Sequence, residues 1–382
     1  MHFLNTTTKC LFFSQGQKSI MSQKVLIVDD SALMRKFHKQ VLEKAGFITE
    51  QASNGQECLR LVANFAPDVI ILDINMPIMD GLSCLKEIMA KHPTPVVMVS
   101  SLTEKGAKAS FDALALGAVD YIPKPSGSYS YNMGELSGLM VEKVIAAANV
   151  KPSSVMMRNI QRKRQENNAR KNGGALKSAP ASPHLGPASA PVSVKTSFEL
   201  IVVGVSTGGP NCLQIILPSL PANFPAPIVV AQHMPGRFTK VFTERLNAMC
   251  ALEVIEVTQK QTIKRGHIYI AQGDGDIVIE KSGGVLFVKP VAIDEAYLWH
   301  PSVSKLVDSA VACITPNKLC CVQLTGMGND GAQEMYKAYT LGATTIAESQ
   351  ETAVVFGMPG QLVKKNGATH VAPNYQIASL LT

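Results

Sequence analysis

A serine in a glycine-rich turn is the first residue of the sequence with chemical promise. The stretch LIVVGVSTGGP, residues 200–210, ends an apolar run in Gly-Val-Ser-Thr-Gly, with Ser206 at the centre. G-x-S-x-G after a strand is the pattern of a nucleophilic serine on a strand-to-helix turn. A glycine-rich turn leading into a helix N-terminus is also the pattern of a phosphate site. The stretch alone leaves both chemistries open.

Partners for this serine occur farther along the chain. A serine hydroxyl becomes a nucleophile only beside a base that a third group orients. His233 follows the apolar segment 228–231, and Asp330 lies in LTGMGNDGA, again after an apolar segment. Either residue alone is more often a cap or surface residue, but together with Ser206 they predict a triad at three strand ends. The order serine, histidine, acid differs from that of the α/β-hydrolases.

A second candidate site lies in the first third of the chain. Its members follow or end predicted strands: Asp29, Asp30, Asp73, Ser100 and Lys124. Three converging carboxylates repel one another unless a cation offsets their charge, and hard oxygen ligands suit Mg²⁺. A carboxylate beside such an ion can attack a phosphoryl group, and a lysine can stabilise the phosphoryl oxygens. This constellation predicts phosphoryl transfer.

Alternating strands and helices must position both sites. Five mostly apolar strands alternate with helices between residues 24 and 148, which predicts a doubly wound five-stranded parallel sheet covered on both faces. The alternation resumes at residue 198 and predicts a second doubly wound, Rossmann-like α/β domain. Its sheet is expected to be mostly parallel, with an antiparallel hairpin near residues 267–290. Ligands of such sheets bind at the carboxyl ends of the strands.

The domain organisation follows from length and composition. A chain of 382 residues fits two domains and a linker. We predict a disordered leader over 1–21, a domain over 22–148, a linker over 149–197 and a second domain over 198–382. The linker is rich in Ala, Ser, Pro and Gly and carries the basic run RNIQRKR at 158–164.

The composition also excludes several classes of protein. The net charge of +7 is modest and lies partly in the linker, so the chain is not expected to bind nucleic acid over its whole surface. The eight cysteines form no C-x-x-C pair, which is typical of free thiols in the cytoplasm. No apolar run approaches the about 20 residues of a membrane span, so no membrane insertion is expected.

Four segments resemble the signatures of the response-regulator receiver domain, a flavodoxin-like fold: VLIVDDSALMRK, DVIILDINMPIMDGL, VVMVSS and GAVDYIPKP. The resemblance implies that Asp73 is the phospho-acceptor and that a chemotaxis histidine kinase is the phosphodonor. It further implies two residue sets, namely Asp29, Asp30, Asp73 and the backbone carbonyl of Asn75 for Mg²⁺, and Ser100, Tyr121 and Lys124 for the switch.

Four later segments resemble the catalytic domain of the chemotaxis methylesterases: GVSTGGP, AQHMPGRFTKVFTERLN, LTGMGNDGA and TTIAESQETAVVFGMPG. The resemblance implies a protein-glutamate methylesterase that also deamidates glutamines, with methyl-accepting chemoreceptors as substrates and no cofactor at the esterase site. Ser206 would be the nucleophile, His233 the base and Asp330 the orienting acid. The backbone at Met327 and Thr207 would serve the oxyanion.

Two positions depart from this family pattern. The family usually has a histidine where Asp276 stands, and a basic pair where the sequence has Trp299-His300 before Pro-Ser-Val. A proline that is usual in the same segment as Asp276 is also missing. The triad survives these changes, so we expect them to affect contacts with the substrate.

Phosphorylation of Asp73 is expected to control access to Ser206. The receiver would pack over the catalytic cleft until phosphorylation favours a second arrangement of the two domains. Two alternatives stay open. One is a receiver-regulated DNA-binding protein that uses residues 158–164, although no helix-turn-helix pattern follows the linker. The other is a phosphorylation-switched binding module with an idle triad.

Overall fold

The structure is a computed structural model, and it describes residues 23–124, 133–150 and 198–382. The predicted leader, and all but the first two residues of the predicted linker, lie outside the described residues. None of the helices in the described ranges combines the length and apolar character that crossing a bilayer requires.

The first part of the chain forms a five-stranded parallel sheet in the order β2-β1-β3-β4-β5. The strands are β1 (Lys24–Val28), β2 (Ile48–Ala52), β3 (Val69–Asp73), β4 (Val96–Ser100) and β5 (Asp120–Pro123). The helices are α1 (Ala32–Lys44), α2 (Gly55–Phe65), α3 (Gly81–Lys91), α4 (Glu104–Leu116) and α5 (Met133–Ala148). Strands β3 and β4 are buried throughout, as a sheet covered on both faces requires.

Polar residues start the helices of this sheet at defined points. The side chains of Ser31, Asn54 and Asp80 accept hydrogen bonds from backbone N–H groups in the first turns of α1, α2 and α3, the usual role of an N-cap. At Gly81 a Cβ would overlap the carbonyl oxygen of Asp73. Glycine therefore lets the start of α3 approach the end of β3, where the candidate phosphorylation site lies.

The second part forms a seven-stranded parallel sheet in the order β15-β14-β13-β6-β7-β10-β8. Its strands are β6 (Leu200–Val205), β7 (Ile228–Gln232), β8 (Glu253–Val257), β10 (His267–Ala271), β13 (Leu319–Gln323), β14 (Thr344–Glu348) and β15 (His370–Ala372). The helices are α6 (Gly209–Ile216), α7 (Gly236–Asn247), α8 (Val303–Cys313), α9 (Ala332–Thr340), α10 (Met358–Lys364) and α11 (Asn374–Leu381). The predicted mostly parallel α/β architecture is confirmed.

A small antiparallel sheet, in the order β11-β12-β9, contains the hairpin. It consists of β11 (Asp276–Ser282) and β12 (Val285–Val291), with β9 (Gln261–Thr262) pairing along β12. The hairpin is therefore shorter than the predicted region 267–290, because β10 pairs in parallel with β7 and β8 in the main sheet.

An aromatic cluster joins the two parts of the chain. Phe111 on α4 packs against Phe238 and Phe242 on α7, with ring centroids 6.2 and 5.3 Å apart. Tyr121 of β5 stacks on Phe238, with centroids 4.4 Å apart and an angle of 6° between the rings. These four side chains belong to one buried hydrophobic cluster that includes residues of both sheets and their helices.

Polar contacts surround the aromatic cluster. Arg245 Nη1 lies 3.0 Å from Asp112 Oδ1, and Lys240 Nζ lies 2.7 Å from Glu104 Oε1. Arg237 donates a hydrogen bond to the backbone carbonyl of Leu102 at 2.7 Å. These polar contacts join α4 and the residues just before it to α7.

Candidate functional site

Hydrogen bonds tie together the three loops that carry Ser206, His233 and Asp330. Ser206 follows β6, His233 follows β7 and Asp330 follows β13, and β6 lies between the other two strands in the sheet. The backbone N–H of Ser206 donates to the carbonyl of Thr325 at 2.9 Å, and that of His233 donates to the carbonyl of Val205 at 3.1 Å. The three residues therefore lie at the carboxyl ends of neighbouring strands, at one edge of the sheet.

His233 and Asp330 are in direct contact. Nε2 of His233 lies 2.9 Å from Oδ2 of Asp330, and both side chains are largely buried. Nδ1 of His233 is buried and has no hydrogen-bond partner among the described residues. Because Asp330 engages Nε2, Nδ1 is the ring nitrogen available to a nucleophile.

The first turn of α8 holds Asp330 in place. The backbone N–H groups of Val303 and Ser304 donate to its two carboxylate oxygens at 2.7 and 2.9 Å. Burial raises the pKa of Asp330, but the bond and charge of His233 together with these N–H groups outweigh burial and leave the pKa lowered. The carboxylate is therefore ionised and fixed beside the histidine.

Of the predicted oxyanion residues, Thr207 directly follows Ser206, and Met327 directly follows Gly326, which packs against Ser206. Thr207 is buried, and its carbonyl accepts a hydrogen bond from the Thr325 hydroxyl at 2.9 Å. Met327 follows Gly326, where an added Cβ would lie 2.7 Å from Cβ of Ser206. Gly208 has φ +79°, so glycine provides the turn into α6. Gly204 lies inside β6 and is not part of this turn. A Cβ at this position would overlap Val303, so glycine here allows α8 to pack closely against the strand.

Sequence reasoning missed a buried acid beneath this site. Glu348 at the end of β14 accepts hydrogen bonds from the Thr325 N–H at 2.8 Å and the Thr352 hydroxyl at 2.9 Å. Burial raises the pKa of Glu348. The carboxyl group anchors the Thr325 segment whose carbonyl binds Ser206. The available signal was an acidic residue at the end of an apolar strand.

The positions that depart from the family pattern lie beside His233 and the segment that binds Asp330. The ring of Trp299 is parallel to that of His233, with centroids 6.1 Å apart. An added Cβ on Gly328 would lie 2.8 Å from Trp299. His300 contacts Asp276, with Nδ1 2.8 Å from Oδ1. The sequence identified these residues through the unusual Trp-His pair. It did not predict that Trp299 lies beside His233 or that His300 contacts Asp276.

The second candidate site gathers the predicted carboxylates. Ligand oxygens of Asp29, Asp30 and Asp73 all lie within 4.8 Å of one another. Lys124 Nζ lies 2.8 Å from Oδ2 of Asp73 and 3.1 Å from Oδ2 of Asp29. Burial raises the pKa of Asp73. Burial acts in the opposite direction on Lys124, but Asp73 and Asp29 outweigh it and raise the pKa of the lysine.

The other residues predicted for this site lie around it. Asn75 is exposed in the loop after β3. The hydroxyl of Ser100 donates to the carbonyl of Gly106 on α4 at 2.9 Å. Tyr121 is buried against Phe238 of α7. The hydroxyl and the aromatic ring are thus both in contact with the helices that join the two parts of the chain.

The donors at this site fit Mg²⁺. Three carboxylates converge, and Oδ1 of Asp73 is buried with no hydrogen-bond partner in the described part of the chain. Buried carboxylate oxygens are stable when a cation or donor offsets their charge, and oxygen ligands are those that Mg²⁺ prefers. Among the described residues, Lys124 contacts the carboxylates of Asp29 and Asp73, whereas Arg35 contacts the backbone carbonyls of Asp29 and Asp30, so a divalent cation would offset the remaining negative charge.

Comparison with known proteins places the chain in a family. A family model described as CheB methylesterase matches residues 201–381, and one described as response regulator receiver domain matches residues 25–131. The protein-glutamate methylesterase/protein-glutamine glutaminase 3 of Rhodospirillum rubrum is 48% identical over 359 residues, which cover 94% of this chain and 95% of that protein. The chain belongs to the CheB methylesterase family.

Other members of the CheB family are nearly as similar. Protein-glutamate methylesterase/protein-glutamine glutaminase 2 of Rhodopseudomonas palustris is 42% identical over 365 residues, 93% of this chain and 96% of that protein. The Thermotoga maritima CheB methylesterase catalytic domain, known from a crystal structure, is 41% identical in sequence to this chain. The match covers 48% of this chain and 97% of the Thermotoga maritima chain, with a TM-score of 0.47. The family resemblance, the methylesterase class and the receiver domain predicted from the sequence are confirmed.

Proposed function

We propose that this CheB-family enzyme hydrolyses glutamate methyl esters on chemoreceptors and deamidates receptor glutamines, and that phosphorylation of Asp73 activates it. The observation that best supports the proposal is the contact of His233 Nε2 with Asp330 at 2.9 Å beside the Ser206 loop. A base that is already oriented by an ionised acid is what a serine nucleophile requires.

The proposed chemistry is acyl transfer through a serine ester. Nδ1 of His233 takes the hydroxyl proton as Ser206 Oγ attacks the γ-carbonyl carbon of the glutamyl ester. The N–H groups of Thr207 and Met327 stabilise the oxyanion. The imidazolium then protonates the methoxy group, methanol departs, and water activated by His233 releases the glutamate carboxylate. With a glutamine side chain, the same steps expel ammonia.

Asp73 is the proposed phospho-acceptor. Its carboxylate would attack the phosphoryl group carried by a histidine kinase, and Lys124 would pair with the phosphoryl oxygens. Mg²⁺ held by Asp29, Asp30, Asp73 and the Asn75 carbonyl would supply charge neutralisation at the phosphoryl group. The raised pKa of Asp73 and its unpartnered buried oxygen support a role for a cation here.

The contacts between the receiver and the catalytic domain support inhibition by the unphosphorylated receiver. The two catalytic helices at the interface, α6 and α7, each begin three residues after a proposed catalytic residue, Ser206 or His233. Asn211 on α6 donates to the Leu114 carbonyl on α4 at 3.3 Å. Val354, which packs on the receiver core, also lies against Gly208. We propose that the receiver (22–148) covers the cleft of the catalytic domain (198–382), and that a linker (149–197) connects them.

The interface also offers a route from Asp73 to the cleft. A phosphoryl group on Asp73 would draw the Ser100 hydroxyl away from the Gly106 carbonyl of α4, and Tyr121 would leave Phe238. Both contacts belong to the helices of the interface. Their loss would favour an open arrangement, and a shift of a few kcal/mol suffices for that.

The test is methanol release from methylated receptor membranes, measured with and without a small phosphodonor. We expect Ser206→Ala to abolish release under both conditions, while Ser379→Ala, a hydroxyl removed from the exposed face of α11, behaves as wild type. Asp73→Asn should release methanol at the wild-type rate without phosphodonor but should not be stimulated by it. Glu87→Gln, on the receiver surface, should match wild type under both conditions. Full release by Ser206→Ala would refute the catalytic assignment, and stimulation that persists in Asp73→Asn would refute the regulatory one.

A further inference from the structure

Trp299 occupies a position that the proposed mechanism does not use. It is the only tryptophan of the chain. Its ring is parallel to the imidazole of His233, with 5° between the planes, and an added Cβ on Gly328 would lie 2.8 Å from its Cζ2 and 3.1 Å from its Cη2. The indole is therefore confined between the proposed base and the loop that carries Met327.

One buried carboxylate fixes the segment that carries this tryptophan. Oδ1 of Asp276 accepts from the Ser302 N–H at 2.8 Å and contacts His300 Nδ1 at the same distance. Oδ2 accepts from the Asp294 N–H at 3.3 Å and lies 3.3 Å from Lys305 Nζ. Asp276 thus holds both ends of the segment 294–302. The Asp276 side chain is completely buried, so its carboxylate oxygens are shielded from water.

The same segment continues into the acid of the triad. The Ser302 hydroxyl lies 3.4 Å from Oδ1 of Asp330, and the next two backbone N–H groups donate to the same carboxylate. The position of Trp299 is therefore fixed relative to His233 from two directions, through Asp276 and through Asp330.

We propose that Trp299 is a specificity-determining residue that forms the apolar wall against which the methoxy group of the ester lies, and that Asp276 is the positioning residue that holds this wall. The inference rests on the proposed function. A methoxy group is apolar and gains by contact with an indole, whereas the NH₂ group of a glutamine amide is polar and gains nothing from the same surface. Trp299 would therefore favour ester hydrolysis over deamidation.

The experiment compares methanol and ammonia release by the full chain, using receptor membranes that carry either methyl esters or glutamines at the modified positions. Trp299→Ala should lower kcat/KM for the ester about tenfold and that for the amide no more than about twofold, since one apolar contact group discriminates by such factors. Trp299→Phe should recover most of the ester preference. Leu298→Ala is the matched control, because this adjacent side chain is 81% exposed. It should leave the ratio of kcat/KM for the ester to kcat/KM for the amide unchanged.

Tryptophan emission tests the positioning role of Asp276 without any turnover. Because Trp299 is the only tryptophan, the emission of the whole protein reports on this site. We expect Asp276→Asn to shift the emission to longer wavelength and to increase quenching by acrylamide. His300→Ala removes one contact of Asp276 and keeps its carboxylate, so it should shift the emission less.

The outcomes separate this inference from the proposed function. A wild-type enzyme that releases neither methanol nor ammonia refutes the proposed function, and the emission comparison then still decides whether Asp276 holds Trp299. Active enzyme in which Trp299→Ala lowers ester and amide turnover equally refutes the specificity role alone. Emission that is unchanged in Asp276→Asn refutes the positioning role.

Discussion

Asp330 receives four polar contacts on its two carboxylate oxygens. His233 and the Val303 N–H contact Oδ2, and the Ser304 N–H and the Ser302 hydroxyl contact Oδ1. The donors keep the carboxylate ionised, as its lowered pKa indicates. An ionised acid both orients the imidazole and stabilises the imidazolium that forms as the serine loses its proton.

We therefore expect Asp330→Asn to lower kcat by about 10³- to 10⁴-fold with little change in KM, because the amide cannot stabilise the imidazolium. Steady-state methanol release from receptor membranes measures both constants. Asp308→Asn, which removes a carboxylate farther along α8, is the matched control and should retain kcat. A loss confined to KM would show that Asp330 acts on substrate binding instead.

His38 of the receiver should make stability depend on pH. It is buried, and burial lowers its pKa from 6.5 to about 4. Between pH 6.5 and about pH 4 the unfolded chain binds a proton at this residue that the folded chain does not bind. The free energy of unfolding therefore falls as the pH drops from 6.5 towards 4, by up to about 3 kcal/mol, and this contribution levels off below pH 4.

Urea unfolding at pH 7 and pH 4.5 measures this dependence. In His38→Leu the loss between the two pH values should be smaller than in wild type by about 2–3 kcal/mol. The exposed His92→Leu serves as control and should show the wild-type loss. An equal loss in all three proteins would mean that the carboxylates of the receiver alone set the acid sensitivity.

At the scale of elements, the sequence predicts strand ends well and weak edge elements poorly. Buried parallel strands such as β3 are continuous apolar runs, so their ends, and the proposed catalytic and phosphorylation residues at those ends, can be predicted directly from the pattern. Strand β15 was missed because only Ala372 of its three residues is buried. Helix α11 was missed because it follows Pro373 and has no side-chain cap.

The details of the sites depend on contacts that no periodicity encodes. The positions of His233 and Asp330 after apolar strands predicted both residues, but which ring nitrogen meets the acid depends on side-chain rotation. Trp299 lies beside His233 in a segment that hydrogen-bonds to Asp276, which belongs to a strand of the separate antiparallel sheet. Phe238 has the spacing of a core residue of α7, and the sequence alone did not indicate that part of its partner surface belongs to the receiver.

At the scale of the whole molecule, charge pairs at the interface should tune the resting activity. Arg245 contacts Asp112 of α4 across the interface. Exposed pairs contribute about 0.2–1 kcal/mol each, so Arg245→Asp should weaken closure and raise methanol release without phosphodonor about two- to fivefold. The double exchange with Asp112→Arg should restore the low value.

The control for this exchange is a pair inside the receiver. Reversing Lys91 and Glu87, which contact each other on α3, should leave resting release unchanged, singly or together. Equal effects of the α3 and interface reversals would show that net charge, and not the contact between domains, alters the rate. A double exchange that fails to restore low release would separate Arg245 from Asp112.

The order of strands in the second sheet has a consequence for biosynthesis. Ser206 follows strand β6, whose neighbours are β7 and β13, so Asp330 joins this edge of the sheet only after more than a hundred further residues have been made. Pairings so distant in sequence form late. A nascent or truncated chain that ends before β13 carries the proposed nucleophile and base without Asp330, the residue that contacts His233. Under the proposed mechanism we expect such a chain to be inert towards receptors, so that hydrolytic activity begins only when synthesis of the sheet is nearly complete.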